Sequence, residues 1–190
     1  MKVKRIALFA SGAGTNVQNI IEYFSDNENV IVDSVWSNNP KAFVLERSRS
    51  FGINTFTFSR DEFRNSLKVV EILKKRDVDL VVLAGFLWLI PENLIQNFPI
   101  INIHPALLPK YGGKGMYGLN VHQAVVDNLE KESGITIHFV NENYDEGKII
   151  FQAKCEVLST DNAADVASKV HQLEYKYFPE IIEKVLSGKI

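Results

Sequence analysis

Residues 6–16 read Ile6-Ala7-Leu8-Phe9-Ala10-Ser11-Gly12-Ala13-Gly14-Thr15-Asn16, and Val17, Ile20, Ile21 and Phe24 follow at core spacing. The apolar run predicts a short strand, the glycines a tight loop, and the spacing of the later apolar residues a helix. Strand, glycine loop and helix in that order open an α/β fold, and the next segments repeat the alternation. Residues 31–36 predict a second strand. Pro40 and Gly52 mark the two ends of a helix, since proline suits a first turn and glycine an exit. Residues 53–58 predict a third strand. Ser59 or Asp61 caps a helix whose apolar face holds Phe63, Leu67, Val70 and Leu73. It ends in Lys74-Lys75-Arg76, charges that suit a helix C-terminus. Residues 80–84, Leu80-Val81-Val82-Leu83-Ala84, are the uninterrupted apolar run of a strand buried on both faces. A short helix over 91–97 and a central strand over 100–103 complete a doubly wound first half.

The pattern then changes. Residues 109–118 contain Gly112, Gly113, Gly115 and Gly118, which predicts a mobile loop of the kind that covers ligands. A helix over 120–129 precedes strands over 135–140 and 149–157, whose short link predicts an antiparallel pair. Asp161 or Asn162 starts a terminal helical region running through Leu186, kinked or broken at Pro179. The expected architecture is α/β: a single domain with a Rossmann-like, open, twisted, mostly parallel sheet, helices on both faces and an antiparallel strand pair in the C-terminal half.

Bulk properties narrow the function. The 190 residues suit one core rather than two, and 46% hydrophobic with 23% charged residues is ordinary globular composition. A net charge of −2 lacks the basic surplus of a protein that tracks phosphate backbones, so no nucleic-acid partner is expected. The lone Cys155 makes no internal disulfide and reads as a small hydrophobe in a strand. The amino terminus runs straight into the first strand without a secretory pattern, and no apolar stretch is long enough to span a bilayer. The expected address is cytoplasmic.

Three groups of residues carry chemistry. The loop of Gly12, Ala13, Gly14, Thr15 and Asn16 leads into a helix, where free amides favour an anion such as phosphate, with a tight structural turn as the alternative. It has neither the lysine of a P-loop nor a third fingerprint glycine, so neither ATP nor NAD is implied. Asn102 and His104, two apart at the end of a central strand, share one face at the end of the sheet where ligands collect, unless they only satisfy structural hydrogen bonds. Asp145 lies in a turn and by itself reads as a local cap. His122 and His171 read as structural or surface residues and His138 as a hydrogen-bonded core residue. No cluster has zinc-site spacing, so no metal is expected, and Ser11 lacks the pattern of a nucleophile elbow. An amide, an imidazole and a carboxylate without an activated nucleophile suit direct acyl transfer to an amine.

Four segments together resemble one family over nearly the whole chain: residues 11–16, Val82-Leu83-Ala84-Gly85-Phe86, Asn102-Ile103-His104-Pro105-Ala106-Leu107-Leu108-Pro109, and Ile137-His138-Phe139-Val140 followed by Asp145-Glu146-Gly147. They are similar to the glycinamide ribonucleotide formyltransferases, a branch of the folate-dependent formyltransferases. The resemblance implies that Asn102, His104 and Asp145 are the catalytic trio, that residues 12–16 hold the substrate phosphate, and that Glu174 binds the ribonucleotide. It places Arg60 near the folate and Leu87, Trp88, Leu89 and Ile90 around the pterin, largely through backbone groups, with Asn102 shared. It implies 10-formyltetrahydrofolate as cosubstrate and glycinamide ribonucleotide as acceptor, with direct amine attack through a tetrahedral intermediate. Residues 1–100 would then form a phosphate-binding half and residues 101–190 a catalytic and folate-binding half, in a monomer or homodimer.

Two features depart from the best-known members: Trp88 stands where they carry arginine, and the loop over 112–118 is longer. The rivals are a relative formylating another amine, such as initiator methionyl-tRNA or a sugar nucleotide, a formyltetrahydrofolate hydrolase, and a non-catalytic phospholigand-binding module. The tRNA enzyme would carry an added C-terminal domain and the hydrolase an added N-terminal one.

Overall fold

A computed structural model describes residues 2–190. Along β1 (Lys4–Phe9), Ile6 and Leu8 enter one apolar cluster and Ala7 and Phe9 another, all four fully buried. A strand alternates its side chains, so burial of both sets requires helices on both faces of the sheet. The first cluster is filled by α1 (Thr15–Phe24), α2 (Phe43–Ser50) and α7 (Ala163–Leu186). The second is filled by α3 (Arg60–Arg64), α4 (Lys68–Lys75) and α5 (Glu92–Ile95).

The remaining strands are β2 (Val30–Ser37), β3 (Asn54–Thr57), β4 (Leu80–Leu83), β5 (Ile100–His104), β6 (Glu132–Phe139) and β7 (Ile149–Glu156), with α6 (Leu119–Asp127) between β5 and β6. The sheet order is β3-β2-β1-β4-β5-β6-β7. The first five strands pair in parallel, and β6 and β7 add antiparallel. The antiparallel turn is tight: a Cβ on Gly147 would lie 1.7 Å from the Phe139 carbonyl oxygen, so only glycine lets the chain return there. Cys155 is half-buried in β7 and packs against the main cluster.

Three local expectations are corrected. Pro40 does not open α2: Asn39 accepts from the backbone of both Lys41 and Ala42, making a turn that delays the helix to Phe43. The helix expected over residues 59–76 is two. Ser59 caps α3 with a full capping box, the chain breaks at Asn65-Ser66, and Leu67 stands exposed before α4 rather than on its apolar face. Finally, of the kink or break expected at Pro179 the break does not occur, since α7 is continuous through it. Proline removes the N–H that the Tyr175 carbonyl would accept, and Asn19 Nδ2 of α1 donates to that oxygen at 2.9 Å instead. The helix survives because a neighbouring helix satisfies the freed group.

Candidate active site

In this strand order the chain leaves β1 toward one face and β4 toward the other, which opens a crevice at the carboxyl ends of the two strands. A cavity of about 800 Å³ lies there. One wall is the loop from β1 to α1. Gly14 has φ +74°, and a Cβ there would meet Val44 Cγ2 at 2.2 Å, so the start of α1 can approach α2 only through glycine. Gly14 supplies no capping side chain, and the first turn of α1 holds no acid. Its leading amides are left to a ligand, with the positive end of the helix dipole behind them.

A second wall comes from β5 and β6. Asn102 pairs directly across the antiparallel ladder with His138, and His104 with Thr136. The Nδ2 of Asn102 is 3.1 Å from His138 Nε2 and 3.4 Å from Asp145 Oδ1. Since His138 Nδ1 lies 2.8 Å from the Phe139 carbonyl, which only accepts, Nδ1 carries the proton and Nε2 can receive from Asn102. By the same reasoning His104 Nε2, 2.7 Å from the Tyr111 carbonyl, carries a proton. Its Nδ1 then faces Asp145 Oδ2 at 3.4 Å. The Gly113 amide donates to that same oxygen at 2.9 Å, tying the glycine-rich segment to the carboxylate. The exit from β5 is held by Thr136, which donates to the Ala106 carbonyl and accepts from the Leu108 amide.

Electrostatics divide this cluster. Burial pushes the Asp145 carboxyl up, but His138, the charge on His104 and the Gly113 amide outweigh it, so the group sits below the usual carboxylate range. It is ionised at neutral pH. For His104 burial is again the largest effect, and here it prevails over Asp145 and the Tyr111 hydrogen bond, lowering the imidazole below its ordinary value. Asp145 therefore favours the imidazolium without imposing it: the resting His104 is neutral, with a carboxylate beside Nδ1 ready to stabilise an added proton.

The expected residues largely meet in this one cavity. Gly12, Ala13, Gly14, Thr15, Asn16, Asn102, His104, Asp145 and Glu174 all line it, as do Leu87, Trp88, Leu89 and Ile90. Asn16 Nδ2 donates to Glu174 Oε2 at 2.9 Å, so the two proposed halves of the chain share one site. Arg60 stands exposed as the first residue of α3, outside the cavity wall. His122 and His171, read as structural or surface residues, stand in the wall, and so does His138, which is the buried, hydrogen-bonded residue expected of it. For His138 the available signal was its phase, because Ile135 and Ile137 take the core side of β6 and leave Thr136 and His138 opposite Asn102 and His104. Among the described residues, no group of three or more His, Cys, Asp and Glu is placed to hold a metal ion.

A sequence profile described as formyl transferase matches residues 4–182. A phosphoribosylglycinamide formyltransferase of Arabidopsis thaliana, described as chloroplastic, is 40% identical over 98% of this chain and 67% of its own length. The enzyme of the same name from Bacillus subtilis is 34% identical over 97% of this chain and 95% of its own. The crystal structure of glycinamide ribonucleotide transformylase 1 from Symbiobacterium toebii superposes with a TM-score of 0.88 at 32% identity, covering 98% of this chain and 89% of that one.

Proposed function

Because the chain belongs to the formyl transferase family, we propose that it transfers the formyl group of 10-formyltetrahydrofolate to the amine of 5-phosphoribosylglycinamide, a step of purine biosynthesis. The observation that carries this reading is the meeting of Asn102, His104 and an ionised Asp145 in the same cavity as the uncapped start of α1. The phosphate of the acceptor sits on the amides of residues 12–16, with Glu174 on the ribonucleotide. Leu87, Trp88, Leu89 and Ile90 surround the pterin, and Arg60 approaches the outer part of the folate.

The amine attacks the formyl carbon directly. Its lone pair forms the new C–N bond while the carbonyl electrons move onto oxygen, and an amide donor near that oxygen stabilises the charge. Asn102 supplies the donor by releasing its long contact to Asp145. The neutral His104 takes the proton lost by the amine at Nδ1, where Asp145 stabilises the imidazolium, and returns it to the departing folate nitrogen as that C–N bond breaks. The products are the N-formyl ribonucleotide and tetrahydrofolate; the scheme uses neither a metal nor a covalent enzyme intermediate. The reading places the protein in the cytosol as a monomer or homodimer with no nucleic-acid partner. No helix among the described residues is long and apolar enough to cross a membrane.

The test is to incubate the purified protein with both compounds and follow product mass. Formylated ribonucleotide with stoichiometric tetrahydrofolate is expected. Formyl transfer only to another amine, release of free formate, or phosphoribosylglycinamide binding without turnover would overturn it.

A further inference from the structure

His104 is held from two sides, and both holds come from residues in a left-handed backbone conformation. Its Nε2 donates to the Tyr111 carbonyl at 2.7 Å, and its Nδ1 faces Asp145 Oδ2 at 3.4 Å. Tyr111 has φ +57° and Asp145 φ +58°, values uncommon outside glycine and costly enough to persist only where the surroundings impose them. Gly112 lets the two converge on the imidazole, since a Cβ there would lie 2.6 Å from Leu108 Cδ2 and 3.3 Å from Asp145 Cβ. Residues 105–118 lie outside every helix and strand, so the Tyr111 carbonyl takes its place from side-chain contacts rather than from a regular element.

Those contacts lead away from the cavity. The Tyr111 hydroxyl donates to Glu130 Oε1 at 2.9 Å, and Lys110 Nζ donates to the same oxygen at 2.8 Å. Neither Tyr111 nor Glu130 belongs to the cavity wall. Glu130 follows Leu129, which is 86% exposed and has φ +53°. The Leu129 amide donates to the Val126 carbonyl and the Glu130 amide to that of Val125, the closure of a helix end that glycine usually makes. A leucine so exposed gains little packing of its own there. What the closure secures is the placement of the next residue, Glu130, against Tyr111. Of the four non-glycine residues with positive φ among the described residues, three (Tyr111, Leu129 and Asp145) thus lie on the two routes to one imidazole.

We propose that Glu130 and Tyr111 are positioning residues for His104: the carboxylate anchors the Tyr111 ring, and the anchored residue keeps its carbonyl on Nε2, so that Nδ1 stays free of a proton and turned to Asp145. The inference rests on the reading of His104 as the group that takes the amine proton at Nδ1. With the anchor gone, the neutral ring can carry its proton on Nδ1 instead, donated to Asp145, and that tautomer has no lone pair there to receive another. The anchor itself does not titrate near neutrality. Lys110 and then Tyr111 hold Glu130 below the usual carboxylate range, while burial and Glu130 raise the Tyr111 phenol. The titratable groups around His104 are Asp145 after β6, His138 on β6, Glu174 on α7 and His122 on α6. The Tyr111 hydrogen bond acts with Asp145 to raise the imidazole against the larger effect of burial. Its loss lowers His104 further, so the acid limb of kcat/KM moves to lower pH.

The test compares wild type with Tyr111→Phe, Glu130→Ala, Glu130→Gln and Lys110→Ala by steady-state kinetics across pH and by nitrogen NMR of the imidazoles, with His104→Ala to assign the signal. Tyr111→Phe and Glu130→Ala should lower kcat about 10- to 100-fold with both KM values little changed, the scale of a misplaced group. Their kcat/KM limb should move to lower pH, and the proton of neutral His104 should shift from Nε2 toward Nδ1. Glu130→Gln keeps an acceptor for the hydroxyl and should stay within about threefold of wild type. Lys110→Ala leaves the Tyr111–Glu130 bond and should do the same. The double variant Tyr111→Phe/Glu130→Ala should be no worse than either single change, because the two act as a unit. Wild-type kcat in Tyr111→Phe or Glu130→Ala would overturn the inference. A lower kcat with an unmoved limb and an unshifted tautomer would overturn it as well, since a contact that only stabilises the fold behaves so. The tautomer signal separates the two readings: it can shift in this way in a protein that transfers no formyl group, and formyl transfer with native rates and tautomer in both variants would sink the anchor alone.

Discussion

Asn102 and His138 are direct partners across the β5–β6 ladder, and their side chains meet at 3.1 Å between Nδ2 and Nε2. One N–H of the amide is thereby fixed, which leaves the other aimed at Asp145 and available to a substrate oxygen. In the proposed reaction His138 is a positioning residue that orients Asn102.

The first prediction concerns that orientation. His138→Ala should lower kcat about 10- to 100-fold with both KM values little changed, since misplacement of a donor by about 1 Å costs on that scale. Asn102→Ala should cost about 100-fold or more. Combining the two should be no worse than Asn102→Ala alone, because groups acting as a unit are not additive. Steady-state kinetics of the three variants decide the matter, and additive losses would mean that His138 has a separate role.

The second prediction concerns charge. Asp145 raises His104 against the dominant effect of burial. Removing the carboxylate as Asp145→Asn leaves burial less opposed, so the His104 pKa falls further. The limb of the kcat/KM profile governed by His104 should move to lower pH, and kcat should drop about 100-fold through loss of proton-transfer assistance. An unchanged profile with unchanged kcat would return Asp145 to the role of a turn residue whose carboxylate only receives the Gly113 amide.

Residues close in sequence were the legible ones. The β1 loop, the alternation of elements and the Asn102–His104 pair all follow from period-2 or period-3.6 patterning within a few residues. The corner where Asn16 and His171 both meet Glu174 does not, because Asn16 and Glu174 are 158 positions apart and meet only when α7 packs back across α1. His122 and His171 looked ordinary on their own helices for that reason. Asp145 is equally ambiguous as a turn residue, and in the sequence only the family resemblance gives it a role. The break at Asn65-Ser66 is not legible, because the apolar spacing of Phe63, Leu67 and Val70 runs through it although Leu67 is exposed.

The third prediction tests how α7 tolerates Pro179. The Tyr175 carbonyl has Asn19 as its donor, and Asn19→Ala should cost up to about 1 kcal/mol. For a chain of this size that is a fall of roughly 2–4 °C in Tm. In a Pro179→Ala background the backbone N–H is restored, so the same Asn19→Ala change should cost less. Thermal unfolding of the four proteins forms the cycle; equal costs in both backgrounds would show that Asn19 does not compensate for the proline.

The last prediction concerns Trp88, which is half-buried in the cavity wall. Its ring meets Phe58, Phe63 and Phe86 with centroid separations of 6.2, 5.9 and 6.4 Å. The indole therefore joins the aromatic core on one side and offers an apolar surface to a ligand on the other. Arginine there loses the aromatic contacts, each worth roughly 1 kcal/mol, and gains charge-assisted hydrogen bonding. Because the groups proposed to react, Asn102, His104 and Asp145, belong to β5 and the turn after β6, Trp88→Arg should stay active with kcat within a few-fold of wild type, a lower Tm and an altered KM for the folate. Trp36, the other tryptophan, is 1% exposed between Phe9 and Phe56 and should emit a nearly constant background. A change in tryptophan fluorescence on adding a folate analogue should thus come from Trp88 and disappear in Trp88→Phe. Calorimetric binding of the analogue without any change in emission would mean that Trp88 only fills the core.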